Sequence, residues 1–245
     1  MNRVKRGIIM AAGKGTRMRP LTFSTPKPLV RVNDCPIIET AIKGLIFQGI
    51  TELYVVTGYL KEQFSYLEKK YPGLTLIENP LYDTCNNISS LYFARHHLEE
   101  SIVLDGDQII NNTNVLSPDF ERSGYNSVYT ENGTNEWLQS VQNGVVTACS
   151  RTGGKTGWQL FSISRWTKED GRKLKQHLEL EFDILQNRQI YWDDIPQFLH
   201  ASEYHLGIYP MQYGDVIEID SLEELAELDC RYRNLIINNE GASDQ

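Results

Sequence analysis

Cysteine is scarce and scattered. The four thiols, Cys35, Cys85, Cys149 and Cys230, include no C-x-x-C pair, which argues against a disulfide framework or a thiolate zinc site and fits free thiols in a reducing cytosol. Long apolar runs are missing too, and no stretch approaches the roughly 20 residues of a membrane span. The N-terminus is basic and then apolar, but the apolar part is short and runs straight into Lys14 and Arg17. Export is therefore not expected, and the chain is expected in the cytoplasm. Positive charge is in deficit: 24 Lys and Arg against 32 Asp and Glu give a net charge of −8, which disfavours nucleic acid or an anionic membrane as the main partner. His96, His97, His177, His200 and His205 show no metal-ligand spacing and read as surface or helix residues. No Ser-His-Asp or Cys-His arrangement, repeat, low-complexity segment or linker is present.

What is present is concentrated in GIIMAAGKGTRMRPLTFSTPKP, from Gly7 to Pro28. Ile8-Ile9-Met10 is too brief for a buried helix and suits a central strand. It breaks into Ala11-Ala12-Gly13-Lys14-Gly15-Thr16, where small side chains let backbone N–H groups approach a phosphate. Lys14, Arg17 and Arg19 follow, and two prolines stiffen the backbone around Lys27. Together with Arg31 these cations make a local basic cluster in an acidic chain. A P-loop would need Ser or Thr after Lys14, and a dinucleotide fingerprint a small residue near Met18. Neither is there, and the run reads as a polyphosphate cradle with a lysine held over it.

The remaining pattern alternates. Helical spacing covers 37–46, a strand 53–57, an amphipathic helix 61–70 with Phe64 and Leu67 inward, a strand 74–77, a helix capped by Asn86-Asn87 and running to about Leu98, and a strand 102–104 ending at Asp105-Gly106-Asp107. This predicts an α/β fold with a mostly parallel, doubly wound sheet, in which ligands bind beyond the carboxyl ends of strands. The second half is hairpin-rich. Strands are expected over 127–130, 137–142 and 145–150 around Asn143-Gly144, 158–164, 204–208 and 216–219. A capped helix is expected from Thr167 to about Gln186, a short helix over 191–199, and a last helix opened by the Ser221 capping box and running to about Tyr232. One domain over 1–237 with an inserted substrate-binding portion is the simplest account, with a polar tail over 238–245.

Three groups can carry chemistry. Asp107 at a strand end beside a phosphate cradle is a natural Mg²⁺ ligand, and Glu218-Ile219-Asp220 ends a later strand with candidate partners; magnesium takes one or two carboxylates plus phosphate oxygens. Tyr129, Glu136-Trp137 and Tyr191-Trp192-Asp193-Asp194 put aromatic faces beside carboxylates, which suits a quaternary ammonium group. Lys155 follows Gly153-Gly154; by spacing alone it reads as a solvated loop lysine.

These segments, with Gly58-Tyr59-Leu60-Lys61-Glu62-Gln63-Phe64 and Thr134-Asn135-Glu136-Trp137, resemble the bacterial CTP:phosphocholine cytidylyltransferases of the nucleotidyltransferase superfamily, over residues 6 to 230. The resemblance implies that Ala11, Ala12, Gly13, Lys14 and Gly15 hold the nucleotide, with Arg17 and Lys27 on its phosphates. It places Asn86, Ser89 and Ser90 near the cytosine and Asp105 with the nucleotide-binding residues. Asp107 and Asp220 would bind Mg²⁺, and Lys155 would approach the transferred phosphate. Tyr129, Glu136, Trp137, Tyr191, Asp193 and Glu218 would surround the choline. The chain departs from the family's pattern in a longer loop over 151–154 and in Thr84-Cys85 before the Asn86-Asn87 pair. The implied reaction transfers CMP from CTP to phosphocholine, giving CDP-choline for decoration of a cell-surface glycan. Alternatives are a 2-aminoethylphosphonate cytidylyltransferase, a sugar-1-phosphate nucleotidyltransferase, which the aromatic-acidic cluster argues against, and a catalytically dead nucleotide-binding regulatory subunit.

Overall fold

The computed structural model describes residues 1–240, and side chains to residue 236. Strand β1 (Arg6–Ala11) is central. It pairs in parallel with β2 (Glu52–Thr57) on one side and with β4 (Ser101–Asp105) on the other, and β2 pairs in parallel with β3 (Leu74–Glu78). A strand turns successive side chains to opposite faces. Ile9 therefore packs with Ile38, Ala41, Ile42 and Leu45 of α1 (Ile37–Phe47). Ile8 and Met10 pack on the other face with Ile88 and Leu91 of α3 (Ile88–Ala94) and with Leu174 and Leu178 of α4 (Lys168–Glu179). Both faces are covered, which is why these strands read as unbroken apolar runs.

The same sheet continues into the second half, where its pairing changes. Strand β9 (Gly157–Trp166) runs antiparallel to β4, to β6 (Gly124–Thr130) and to β7 (Leu138–Gln142). Strand β7 forms the expected hairpin with β8 (Val145–Ser150), and β10 (Gly207–Pro210) lies between β8, to which it is antiparallel, and β6, to which it is parallel. The α/β class and the inserted hairpin portion stand, but the contiguous parallel block is confined to β1–β4 and the second half is antiparallel apart from the β6–β10 pair, so the nine-stranded sheet is mixed. Short antiparallel strands β5 (Gln108–Ile110) and β11 (Val216–Glu218) form a separate ribbon.

Several elements are shorter than expected. The helix over 61–70 is a 3₁₀ turn, Lys61–Phe64, followed by α2 (Tyr66–Lys70), with Phe64 and Leu67 buried as read. Asn87 precedes α3 but makes no side-chain cap, and the regular helix stops at Ala94. Thr167 caps α4 as expected, but the helix loosens into a π-turn over Leu180–Ile184. The strand expected over 204–208 starts at Gly207. The Ser221 capping box is present on α5 (Leu222–Leu228), after which α6 (Arg233–Glu240) takes in 238–240 of the expected tail. Residues 241–245 lie outside the described residues.

Candidate active site

The cradle turn leaves the carboxyl end of β1 and closes over Lys27. Gly15 has φ 59°, a left-handed conformation that favours glycine. A Cβ there would stand 2.9 Å from Lys27 Cβ and 3.1 Å from Thr22 Cγ2, so turn and lysine are packed as one unit. Pro26 and Pro28 flank a 3₁₀ turn that aims the Lys27 side chain inward, where it is 9% exposed. Gly106 hydrogen-bonds Met10 O at 2.8 Å, and a Cβ on it would meet Ala11 Cβ at 3.0 Å, so the ends of β1 and β4 are in contact.

The metal-type acids converge through the β5–β11 ribbon. Its register pairs Gln108 with Glu218 and Ile109 with Ile217, which places Asp107 and Asp220 at the same end. Lys27 Nζ donates to Asp107 Oδ2 at 2.7 Å and to Asp220 Oδ1 at 2.9 Å, and Arg17 donates to Asp220 Oδ1 at 2.7 Å. Burial opposes the Lys27 charge, but Asp107 and Asp220 outweigh it and hold the ammonium above its usual range. Carboxylate oxygens of Asp107, Glu218 and Asp220 come within 4.8 Å of one another. Asp107 Oδ1 is buried without a hydrogen-bond partner among the described residues. The Lys27 ammonium thus stands where the acids converge, and an all-oxygen set with one unused lone pair fits a hard divalent cation.

Two cavities meet at this point. The first, of 440 Å³, is lined by Met10, Ala11, Gly13, Gly15, Thr16, Arg17, Lys27, Pro28, Asn86, Asp107 and Asp220. The second, of 290 Å³, is lined by Arg17, Asn87, Asp105, Glu136, Trp137, Leu160, Ser162, Tyr191, Asp193, Glu218 and Asp220. Arg17 and Asp220 border both. The Trp137 and Tyr191 rings stand edge to face, centroids 6.0 Å apart at 85°. Burial pushes the Asp193 carboxyl up to about 7. Glu218, ringed by protein though open to the cavity, is pushed up to about 8 by burial and by Asp107 and Asp220. Asp105 is held well above the usual carboxylate range by burial and by the neighbouring acids. The second cavity therefore sets two aromatic rings beside crowded carboxyl groups.

Not every expected residue arrives. Asp105 faces the second cavity, with Glu136 and Asp193, and does not line the first. The strand ends at Asp105, so the alternation that would put Asp105 and Asp107 on one face lapses, and the two acids diverge around Gly106. Ser89 and Ser90 are buried and their hydroxyls accept from Asn79 Nδ2 at 2.9 and 3.1 Å; they anchor the loop carrying Asn86 and do not line the cavity. Ala12 is buried, its carbonyl taken by Tyr59 N–H, and Lys14 is paired with Asp83. Tyr129 is 47% exposed and packs on Trp158, away from both cavities. Lys155 is exposed beside the Thr134–Gly154 bridge and lines neither cavity; the extended loop holds it outward.

Other residues take roles that the motifs did not indicate. Asn87 Oδ1 accepts from Trp192 N–H at 2.9 Å, fastening the Tyr191 segment to the start of α3. Asp194 accepts from Tyr191 N–H at 2.9 Å and from Arg151 Nε at 2.8 Å, and the Arg151 guanidinium lies 3.6 Å from the Phe198 ring centroid. Trp192 is core, not cage, at 1% exposure. The Asn86-Asn87 pair was the available signal for this clamp; the Arg151–Asp194 pair left none.

A small-residue turn at the end of a central parallel strand, with a buried lysine and converging acids beside it, is the arrangement the sequence led us to expect of a nucleotidyltransferase, and comparison with known proteins agrees. The profile of the nucleotidyl transferase family matches residues 6–127. The chain is 37% identical over 231 residues to the 2-aminoethylphosphonate cytidylyltransferase of Lancefieldella rimae, covering 94% of each chain. It is 35% identical over 229 residues to the choline-phosphate cytidylyltransferase of Streptococcus pneumoniae, covering 94% of this chain and 99% of that one. The solved structure of the CTP:phosphocholine cytidylyltransferase from Streptococcus pneumoniae superposes with a TM-score of 0.85 at 36% identity, covering 93% of this chain and 98% of that one. The chain belongs to the nucleotidyltransferase family and, within it, to the cytidylyltransferases.

Proposed function

We propose that the protein transfers CMP from CTP to phosphocholine, releasing pyrophosphate. The observation that carries this reading is the second cavity, where Trp137 and Tyr191 stand beside Glu136, Asp193 and Glu218 and open onto the phosphate cavity through Arg17 and Asp220. A quaternary ammonium cannot donate hydrogen bonds, so ring faces and opposite charge are what hold it. The turn Ala11–Gly15 and Asn86 receive the nucleotide. Asp107 and Asp220, with Glu218 at hand, would hold Mg²⁺, which supplies charge neutralisation across the phosphate oxygens.

An anionic oxygen of the substrate phosphate forms a bond to the α-phosphorus, and the bond from that phosphorus to the oxygen bridging to the β-phosphate breaks. The nucleophile arrives ionised, so the chain supplies no general base. Its residues align the two anions and offset charge as it shifts to the leaving pyrophosphate. Lys27 and Arg17 carry that role. Arg17, bordering both cavities, reaches either anion.

A second reading, 2-aminoethylphosphonate, is favoured by one observation: Asp193 Oδ1 is buried and accepts no hydrogen bond, and Asp105 adds a further acid to the cavity. A primary ammonium would donate to both. The test is pyrophosphate release with Mg²⁺ and CTP, comparing phosphocholine, phosphoethanolamine and 2-aminoethylphosphonate at equal concentration. Preference for phosphocholine, with a raised KM for it in Trp137→Ala and Tyr191→Ala, supports the ring-based reading. Preference for the phosphonate overturns it in favour of the second.

A further inference from the structure

The end of α4 meets residues 200–204 in a cluster that the reaction does not use. The His177 and His200 rings stack, with centroids 3.9 Å apart and planes at 11°. Glu203 faces both, with Oε2 3.4 Å from His177 Nε2 and Oε1 3.4 Å from His200 Nδ1. Each ring is gripped at its other nitrogen: His177 Nδ1 lies 2.8 Å from the Tyr204 hydroxyl, and His200 Nε2 lies 2.8 Å from Glu181 Oε1. No regular spacing announces this cluster, because the π-turn after α4 and the turn at 200–204 bring together residues distant in sequence.

A carboxylate only accepts hydrogen bonds, so the bond to Glu181 places the proton of a neutral His200 on Nε2. Nδ1 is then a lone pair, and it faces the Glu203 carboxylate, acceptor against acceptor. A positive species between them removes the conflict. It is either a second proton on His200 or a metal ion. The 3.4 Å separations match the edge of a tetrahedral site with bonds of about 2.0–2.1 Å. Two imidazoles and a carboxylate form a zinc-type donor set. In the stacked arrangement Tyr204 and Glu181 hold the remote ring nitrogens, and these are the contacts that rotation toward an ion exchanges.

We propose that His177 Nε2, His200 Nδ1 and Glu203 bind one zinc-class divalent cation. The two rings leave their stack by rotating about Cβ–Cγ so that each lone pair points at the ion. The site ties the end of α4 to the chain that follows Tyr191–Leu199, the segment bearing two walls of the cation cavity. It is distinct in chemistry from the all-oxygen acids at Asp107 and Asp220.

The test is titration of the full, chelator-stripped chain with Co²⁺, followed by visible absorption. A tetrahedral site with nitrogen ligands absorbs strongly, whereas an octahedral all-oxygen site absorbs weakly. The expected result is one strongly absorbing Co²⁺ per chain, displaced by Zn²⁺. Affinity should fall about tenfold or more in Glu203→Gln and further in His200→Gln. Glu203 is half exposed, so its variant tests the site without a folding defect. Zn²⁺ at a hundredfold excess over its Kd should also raise Tm by about 5–10 °C in the parent, and the same Zn²⁺ concentration by no more than about half that in Glu203→Gln. A weak spectrum alone, a strong spectrum unchanged in Glu203→Gln, or a doubly protonated His200 in the ¹⁵N spectrum with Zn²⁺ present would each overturn the proposal.

Discussion

Replacing Lys27 with methionine separates the two duties of this side chain. Structurally, the ammonium joins Asp107 at 2.7 Å and Asp220 at 2.9 Å. Removing it leaves two carboxylates facing each other, with only the exposed Arg17 guanidinium on Asp220 as counter-charge. A fully buried pair broken in this way costs about 3–5 kcal/mol. Here the acid side chains remain 25% and 29% exposed and water relieves part of the repulsion, so we expect about 1–2 kcal/mol. For a chain of this size that lowers Tm by roughly 2–8 °C. Catalytically, losing one positioned donor on shifting charge costs about 10²–10³ in kcat, or about 3–4 kcal/mol of barrier. The assay is pyrophosphate release alongside thermal unfolding without Mg²⁺. Adding Asp220→Asn to Lys27→Met should return most of the lost Tm, since it removes one repelling charge, and should leave activity lost. Mg²⁺ should raise Tm more in Lys27→Met than in the parent, because the ammonium no longer competes for the acids. A folded Lys27→Met retaining more than about a tenth of kcat/KM would refute the catalytic role. An unchanged Tm in both variants would refute the electrostatic account.

Other expectations follow from the same geometry. Gly15→Ala should reduce turnover and cost about 1–3 kcal/mol, because a Cβ at φ 59° is strained and collides with Lys27 Cβ; a parent-like melt and rate would show the turn to be looser than described. Trp137→Ala should raise the KM for phosphocholine about 3- to 30-fold while leaving that for CTP unchanged, a split read directly from initial rates. The Asp193 carboxyl, raised to about 7, is still protonated in the folded state where the unfolded chain has already ionised. Substrate-free stability from this group is therefore fullest below about pH 4 and declines as pH rises to about 7, by at most about 4 kcal/mol. A cationic substrate favours the ionised form, so KM for phosphocholine should fall as pH rises through 7, and an Asp193→Asn variant should lose that dependence. Arg165, buried at 2% exposure, donates to Asn126 Oδ1 and Val115 O at 2.6 Å and to Ser117 O at 3.0 Å. Arg165→Met leaves Asn126 Oδ1 and Ser117 O without this donor, while Val115 O keeps Asn126 Nδ2 at 3.2 Å, and calorimetry should show a loss of about 3 kcal/mol.

Local chemistry wrote much of this protein into its sequence. The apolar run at Ile8–Met10, the small-residue turn and the proline-flanked Lys27 are short-range features, and a strand end with glycines dictates the backbone by sterics alone. The Thr167 cap, the Ser221 capping box and the Asn143-Gly144 hairpin were legible for the same reason. Which acid serves which ligand was not legible. Asp105 and Asp107 are two residues apart, yet the turn at Gly106 sends one to each cavity. Asp107 and Asp220 meet only because a three-residue ribbon pairs 108–110 with 216–218. Tyr129 and Tyr191 were both expected beside the choline, but only Tyr191, held by the Asn87 and Asp194 hydrogen bonds, lines the cavity, while Tyr129 packs on Trp158. His177, His200 and Glu203 carry no signal until a π-turn delivers them to one place. The sequence by itself determined the elements and the phosphate cradle, because those depend on neighbours along the chain. The tertiary structure decided the acid pairing and the cation cavity, because those depend on contacts between residues tens to a hundred positions apart, whose direction no local pattern records.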